Sequence, residues 1–176
     1  LNRDGWLEIH HGKSTRVRDY WREGNLMILG TIARHQSQTP ASFVPNLLQI
    51  RLLLAPAYTR LAVQNENAKV IEFLEELLTL PDDADAFAEN DLKLHLLFNQ
   101  LSENPIFTLI FNGFNELYRA TGKVYFTLPA GRESSRNFYK NLLVSAKAKD
   151  LDQTETIVRQ AMQQSIDLWN VANSAK

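Results

Sequence analysis

Asp91 and His95 stand four residues apart in a run of helical character, while Arg51 and Ser165 interrupt stretches that are otherwise apolar, the second of which ends in Trp169. An Asp and a His at that spacing share one helix face, and both side chains can ligate a divalent ion. They make only half a site. The other histidines, His10, His11 and His35, lie near the start of the chain and offer no second pair. A structural Asp91–His95 hydrogen bond is therefore expected, and no metal.

Arg51 sits within Leu47-Leu48-Gln49-Ile50-Arg51-Leu52-Leu53-Leu54. A helix that is apolar nearly all round is expected deep in a bundle. A guanidinium there must find a partner, because an unpaired buried charge is prohibitively costly. Two partners are open: an acid on a neighbouring helix, or the phosphate or carboxylate of a ligand. Pro56, a little further on, is expected to kink the same helix and open space beside it.

Near the C-terminus Val158, Met162, Ser165 and Trp169 follow one another at steps of four, three and four, which is a single inward helical stripe. Ser165 is the odd member. Its hydroxyl needs a partner, either the carbonyl four residues earlier, which is the default, or a ligand. Arg159, next to Val158, flanks the same surface.

Catalysis finds little support. The chain has no cysteine, which excludes a thiolate nucleophile, a disulfide framework and Cys-based zinc or iron-sulfur sites. It has no GxSxG elbow, no HExxH and no Gly-rich phosphate loop. The paired acids Glu75-Glu76 and Asp82-Asp83 lie in an acidic stretch expected to be solvated, where burial cannot tune them for proton transfer. An enzyme is not expected.

The elements that hold these residues can be read from length and periodicity. With 176 residues, 44% of them hydrophobic, the chain is long enough for one substantial core plus a fragment. No apolar run is long enough to span a membrane, no signal peptide opens the chain, and the absence of cysteine suits a reducing cytoplasm. A soluble cytoplasmic protein without a membrane partner is the expectation. The first residue, Leu1, falls in what reads as a helix end, so a segment upstream is expected.

A net charge of −1 argues against binding nucleic acid through bulk positive charge. The charges are nonetheless segregated. Residues 66–91 carry nine acids and one base, and residues 117–149 carry seven bases and one acid. These read as solvated helix faces. The sharper alternative is that the basic stretch draws in an anionic ligand.

Trp6-Leu7-Glu8-Ile9-His10 and Arg16-Val17, with Gly12 between them, have the signature of a β-hairpin, which is marginal alone and so implies a larger unit. From Tyr20 onward helical periodicity dominates. Breaks are expected at Thr39-Pro40 and Pro81-Asp82-Asp83, a capped start at Asn104-Pro105, a loop at Pro129-Ala130-Gly131, and a capping box at Asp152-Gln153-Thr154-Glu155. The predicted fold is all-α: an antiparallel bundle of about six or seven helices, preceded by a remnant β-hairpin.

Several segments carry a family likeness. Arg3-Asp4-Gly5-Trp6-Leu7 and His11-Gly12-Lys13 resemble the end of the winged helix-turn-helix of GntR-type regulators. Asp85-Ala86-Phe87-Ala88-Glu89-Asn90-Asp91, Asn104-Pro105-Ile106, Phe111-Asn112-Gly113 and Phe138-Tyr139 resemble the FadR-like fatty acid metabolism regulators, over essentially the whole chain. The resemblance implies residues 1–17 as the remnant of a DNA-binding domain, 18–25 as a linker and 26–176 as a helical domain that binds long-chain acyl-CoA. It implies a homodimeric repressor and activator of fatty acid metabolism genes, which acyl-CoA releases from operator DNA.

By position, the resemblance implies an acyl-CoA site of Arg51, Tyr125, Tyr139, Arg159, Ser165 and Trp169, with His11 and Gly12 in the wing that reaches DNA. Asp91 and His95 match the first pair of an Asp-and-three-His metal constellation in related regulators, and Tyr139 and Ala161 stand at the other two positions. Neither completes a metal site, so the expected ligand is acyl-CoA with no cofactor. A metal-dependent carboxylate sensor and a small helical enzyme acting on acyl-CoA are the alternatives.

Overall fold

The computed structural model describes residues 7–8, 12, 14–26, 28–34 and 41–174. Two short strands, β1 (Leu7–Glu8) and β2 (Arg16–Val17), pair antiparallel with Leu7 opposite Val17 and Glu8 opposite Arg16. Gly12, between them, has φ +77°, a backbone conformation that costs a residue with a Cβ and costs glycine nothing. The hairpin read from the sequence is thus present. His11 and the Thr39-Pro40 break fall outside the described residues.

Seven helices follow among the described residues: α1 (Tyr20–Glu23), α2 (Ile28–Arg34), α3 (Phe43–Leu77), α4 (Ala84–Leu101), α5 (Pro105–Phe126), α6 (Pro129–Ala148) and α7 (Leu151–Ser174). α3 is the spine, packed against α4, α6 and α7, while α5 packs on α4 and carries α2. The main core lies where Val70, Leu74 and Leu77 of α3 meet Phe87, Leu94 and Phe98 of α4, Leu142 of α6, and Val158 and Met162 of α7. Each contributes at the helical spacing that puts it on the inner face, and burying one such side chain is worth about 1.5–3 kcal/mol.

Local chemistry sets most boundaries. Asp83 caps α4 by accepting from the Ala86 N–H at 2.8 Å, and Asn104 caps α5 by accepting from Ile106, with Pro105 at the start. Two sequence expectations are corrected. Pro129-Ala130-Gly131 is the first turn of α6 rather than a loop, since proline's fixed φ suits a helix start. The cap of α7 is Asp150, whose carboxylate accepts from Gln153 at 2.9 Å; Asp152 lies inside the first turn and pairs with Arg60 instead.

α3 departs from expectation in two further ways. Its break falls at Glu66 (φ −137°, ψ 50°), the only non-helical residue inside it, while the backbone around Pro56 keeps helical dihedrals. On either side of Glu66, Asn65 donates to the carbonyls of Leu101 and Ser102, and Asn67 to that of Ala146. The bend thus satisfies carbonyls at the C-terminal ends of α4 and α6, groups that a helix end leaves open. The Leu47–Leu54 stretch, expected deep in the bundle, is only partly buried, with Leu53 65% exposed and Ile50 42%.

The two segregated charge runs meet in space. Glu75 pairs with Lys147 at 2.6 Å, Asp82 with Arg132 at 2.8 Å and Arg136 at 3.3 Å, and Asp85 with Lys123 at 4.0 Å. Four of the seven bases, Lys123, Arg132, Arg136 and Lys147, are thus engaged with the acidic run.

Candidate functional site

α5 carries an aromatic stripe, Phe107, Phe111, Phe114, Tyr118 and Tyr125, at spacings of four, three, four and seven. Facing it are the N-terminal turns of α3, with Leu47, Leu48, Arg51 and Leu54, and the end of α7, with Ser165 and Trp169. Between them lies a hollow of about 820 Å³, its open mouth included. The partial exposure of Leu47–Leu54 has its reason here: these apolar side chains line an open space in place of a packed neighbour.

Beneath the hollow is a polar floor of six side chains from four helices. Arg51 Nη2 lies 2.8 Å from His95 Nε2 and 3.5 Å from Asp91 Oδ2. Tyr58 Oη lies 2.7 Å from His95 Nδ1. Tyr118 donates to Asp91 Oδ2 at 2.5 Å and Tyr139 to Asp91 Oδ1 at 2.9 Å. The guanidinium also rests over the Tyr118 ring, 4.9 Å from its centre, a cation–π contact strengthened by the dry surroundings.

The electrostatics follow from burial. Desolvation and then the Arg51 charge push the His95 imidazole down to about 3, against the pull of Asp91, so the ring is neutral near pH 7. Burial opposes ionisation of Asp91, but the Arg51 charge and the hydrogen bonds from Tyr118 and Tyr139 hold its carboxyl below the usual value. Burial raises Tyr58, Tyr118 and Tyr139, so all three remain phenols.

Two polar atoms here are unspent. Arg51 Nε and Tyr125 Oη are buried without a hydrogen-bond partner, although Ser165 and Ser134 lie near the Tyr125 hydroxyl. Buried donors left open are rare, and such atoms beside a hollow are places for a ligand's acceptor.

The structure brings Arg51, Tyr125, Ser165 and Trp169 of the expected site to the hollow. Ser165 also donates to the Ala161 carbonyl at 2.9 Å, the backbone bond expected by default. Tyr139 lies beneath the hollow, fully buried on Asp91. Arg159 does not reach it: its side chain is 53% exposed and pairs with Glu155, one turn back on the same helix. The expected Asp91–His95 hydrogen bond is absent, since His95 Nε2 stands 3.9 Å from Asp91 Oδ2 and both His95 ring nitrogens are taken by Arg51 and Tyr58. Tyr58 and Tyr118 were not anticipated. The α5 stripe was a readable signal for Tyr118, whereas nothing in the spacing of α3 marks Tyr58. Among the described residues no cluster of three or more His, Asp or Glu side chains is arranged to hold a metal.

Fold and site together define a class: an all-helical domain behind a two-stranded hairpin, with an apolar hollow above a buried ion-pair floor. The family model of the FadR C-terminal domain matches residues 18–175, and the chain belongs to that family. It is 40% identical over 169 residues to the fatty acid metabolism regulator protein of Shewanella sp. (strain MR-4), covering 96% of this chain and 70% of that one. It is 36% identical over 174 residues to the protein of the same description from Proteus mirabilis (strain HI4320), covering 99% and 73%. Both relatives are described as regulators. The GntR protein of Streptococcus agalactiae shares the fold, with a TM-score of 0.60 at 15% identity over 95% of this chain and 77% of that one.

Proposed function

We propose that this chain is the ligand-sensing part of a bacterial fatty acid metabolism regulator and that the hollow holds the acyl chain of a long-chain acyl-CoA. The observation that carries the reading is the hollow itself: apolar walls from α3, α5 and α7, with Arg51 Nε and Tyr125 Oη buried and unspent beside it. Each methylene taken from water into such walls contributes about 0.8 kcal/mol. The two open donors suit the thioester oxygen, which accepts hydrogen bonds without bringing a further charge into a floor where Arg51 and Asp91 already balance.

α5 is the element through which occupancy reaches the N-terminal segment. Its Phe107, Ile110 and Phe114 line the hollow, and it also packs on α2. At Gly113 an added Cβ would stand 3.2 Å from Leu26, so the segment before α2 lies close against α5. A ligand that moves α5 moves this segment too. To regulate, it must favour one arrangement over the other, by about 1–3 kcal/mol of coupling in typical cases.

In the whole protein, residues 1–17 end a winged helix, residues 18–25 link it to the helical domain, and a cytoplasmic homodimer reads operator DNA as repressor and activator until acyl-CoA releases it. The start of the family match at residue 18 and the paired strands ahead of it support this division.

Titration calorimetry tests the reading, with palmitoyl-CoA, free CoA, palmitate and divalent metal ions side by side. Saturable binding of palmitoyl-CoA at one per chain is expected, with little from free CoA. No heat with any long-chain ester overturns the proposal.

A further inference from the structure

Arg51 is charged at every pH a protein meets, and its guanidinium has donors and no acceptor. The 2.8 Å contact from Arg51 Nη2 to His95 Nε2 therefore requires a bare, accepting Nε2. The one proton of a neutral imidazole is left to Nδ1, which donates to Tyr58 Oη at 2.7 Å. The Tyr58 hydroxyl accepts from the ring. We infer that His95, fixed as the Nδ1–H tautomer, is the positioning residue that aims the Arg51 guanidinium.

Asp91 does not fill that role. Its Oδ2 is already claimed by Tyr118 at 2.5 Å and its Oδ1 by Tyr139 at 2.9 Å, which leaves Arg51 a long contact of 3.5 Å. The carboxylate compensates the charge, and the imidazole sets the direction. Holding Nη2 on the ring leaves Nε unspent beside the hollow.

The ring itself is well held. It is fully buried, with Phe98 edge-on at 6.2 Å, Phe111 stacked at 6.3 Å and Tyr118 at 5.6 Å. The titratable groups that face it are Arg51, Tyr58, Asp91 and Tyr118. Burial and the Arg51 charge keep it neutral against Asp91. The tautomer follows from the apo geometry alone, whereas what Arg51 is aimed at rests on the proposed function.

The test uses the full chain. In the ligand-free protein with ¹⁵N-labelled histidine near pH 7, the His95 ring is expected to show a protonated Nδ1 and a bare Nε2. The reverse pattern, or an imidazolium, overturns the inference. His95→Gln keeps an acceptor close to the Nε2 position, and His95→Leu removes it. Slowly exchanging Arg51 guanidinium protons are expected in the wild type and His95→Gln and lost in His95→Leu; their survival in a folded His95→Leu overturns it. Palmitoyl-CoA affinity should stay within about threefold in His95→Gln and fall by about tenfold or more in His95→Leu. Equal affinity in all three overturns the positioning role. Should His95→Leu not fold, the tautomer and the His95→Gln exchange rates decide alone. If the wild type binds no acyl-CoA, the proposed function fails, while the two NMR readouts still decide this inference.

Discussion

Tyr118 donates to Asp91 Oδ2 at 2.5 Å, and the same oxygen faces Arg51 Nη2 at 3.5 Å. One carboxylate thus joins a phenol of α5 to a guanidinium of α3, and through Tyr139 it reaches α6 as well. The polar floor is a tie between helices as well as the bottom of the hollow. Its hydrogen bonds are strong because water is excluded and costly to break for the same reason.

Removing the charge of Asp91 should therefore be severe. Asp91→Asn keeps the shape but leaves the Arg51 guanidinium buried without a counter-ion, and a loss of about 3–5 kcal/mol in urea unfolding is expected. Adding Arg51→Met to Asp91→Asn should recover much of that loss, because the uncompensated charge is then gone. Additive losses in the double variant would show that the two residues are not energetically paired.

His95 imposes a pH dependence of definite sign. Its folded value, about 3, lies below the ordinary 6.5, so between these values the unfolded chain binds more protons and stability rises with pH. The contribution is complete above about pH 6.5 and is lost as the pH falls toward 3. The slope approaches about 1.4 kcal/mol per pH unit within that window. Urea midpoints of the wild type and His95→Gln at pH 7, 6 and 5 check this: the difference should shrink on acidification. Parallel curves would show that His95 takes up its proton as readily in the folded chain as in the unfolded one, which contradicts the burial described.

Gly131→Ala should reverse the usual rule for glycine in a helix, where alanine is better by about 1 kcal/mol. In the first turn of α6 the added Cβ would meet the Tyr125 backbone oxygen at 2.8 Å and its ring at 3.0 Å. A loss of about 1–3 kcal/mol is expected from overpacking, with Tyr125 displaced from the wall of the hollow. Thermal unfolding checks the sign, and an unchanged or raised melting temperature would contradict the packing described.

What could be read from the sequence was the part governed by local periodicity. α4 runs from Ala84 to Leu101, between the break expected at Pro81-Asp82-Asp83 and the start expected at Asn104-Pro105, with Phe87, Asp91, Leu94 and Phe98 buried on one face, because breakers at both ends mark the limits of an amphipathic helix. The Leu47–Leu54 stretch misled because apolar composition reports affinity for an apolar neighbour and not whether that neighbour is a packed helix or a hollow. The bend at Glu66 was invisible because its reason is tertiary: Asn65 and Asn67 reach helix ends 36 and 79 residues further along the chain. At the site, the anomaly of Arg51 and Ser165 in apolar stretches was readable, as was the place of Trp169 on the inward stripe of α7. The Asp91–His95 spacing was read correctly as a shared face, but the hydrogen bond expected of it was lost to Arg51, a competitor 44 residues away in sequence from His95.

Trp169 offers the most direct test of the hollow, since its half-buried indole lines the wall. Of the three tryptophans, the other two, Trp6 and Trp21, can be replaced by phenylalanine so that Trp169 alone reports. Titration with palmitoyl-CoA should then change Trp169 emission saturably, complete at one ligand per chain, while free CoA leaves it unchanged. Calorimetric binding of palmitoyl-CoA with Trp169 emission unaltered would put the ligand elsewhere and contradict the account.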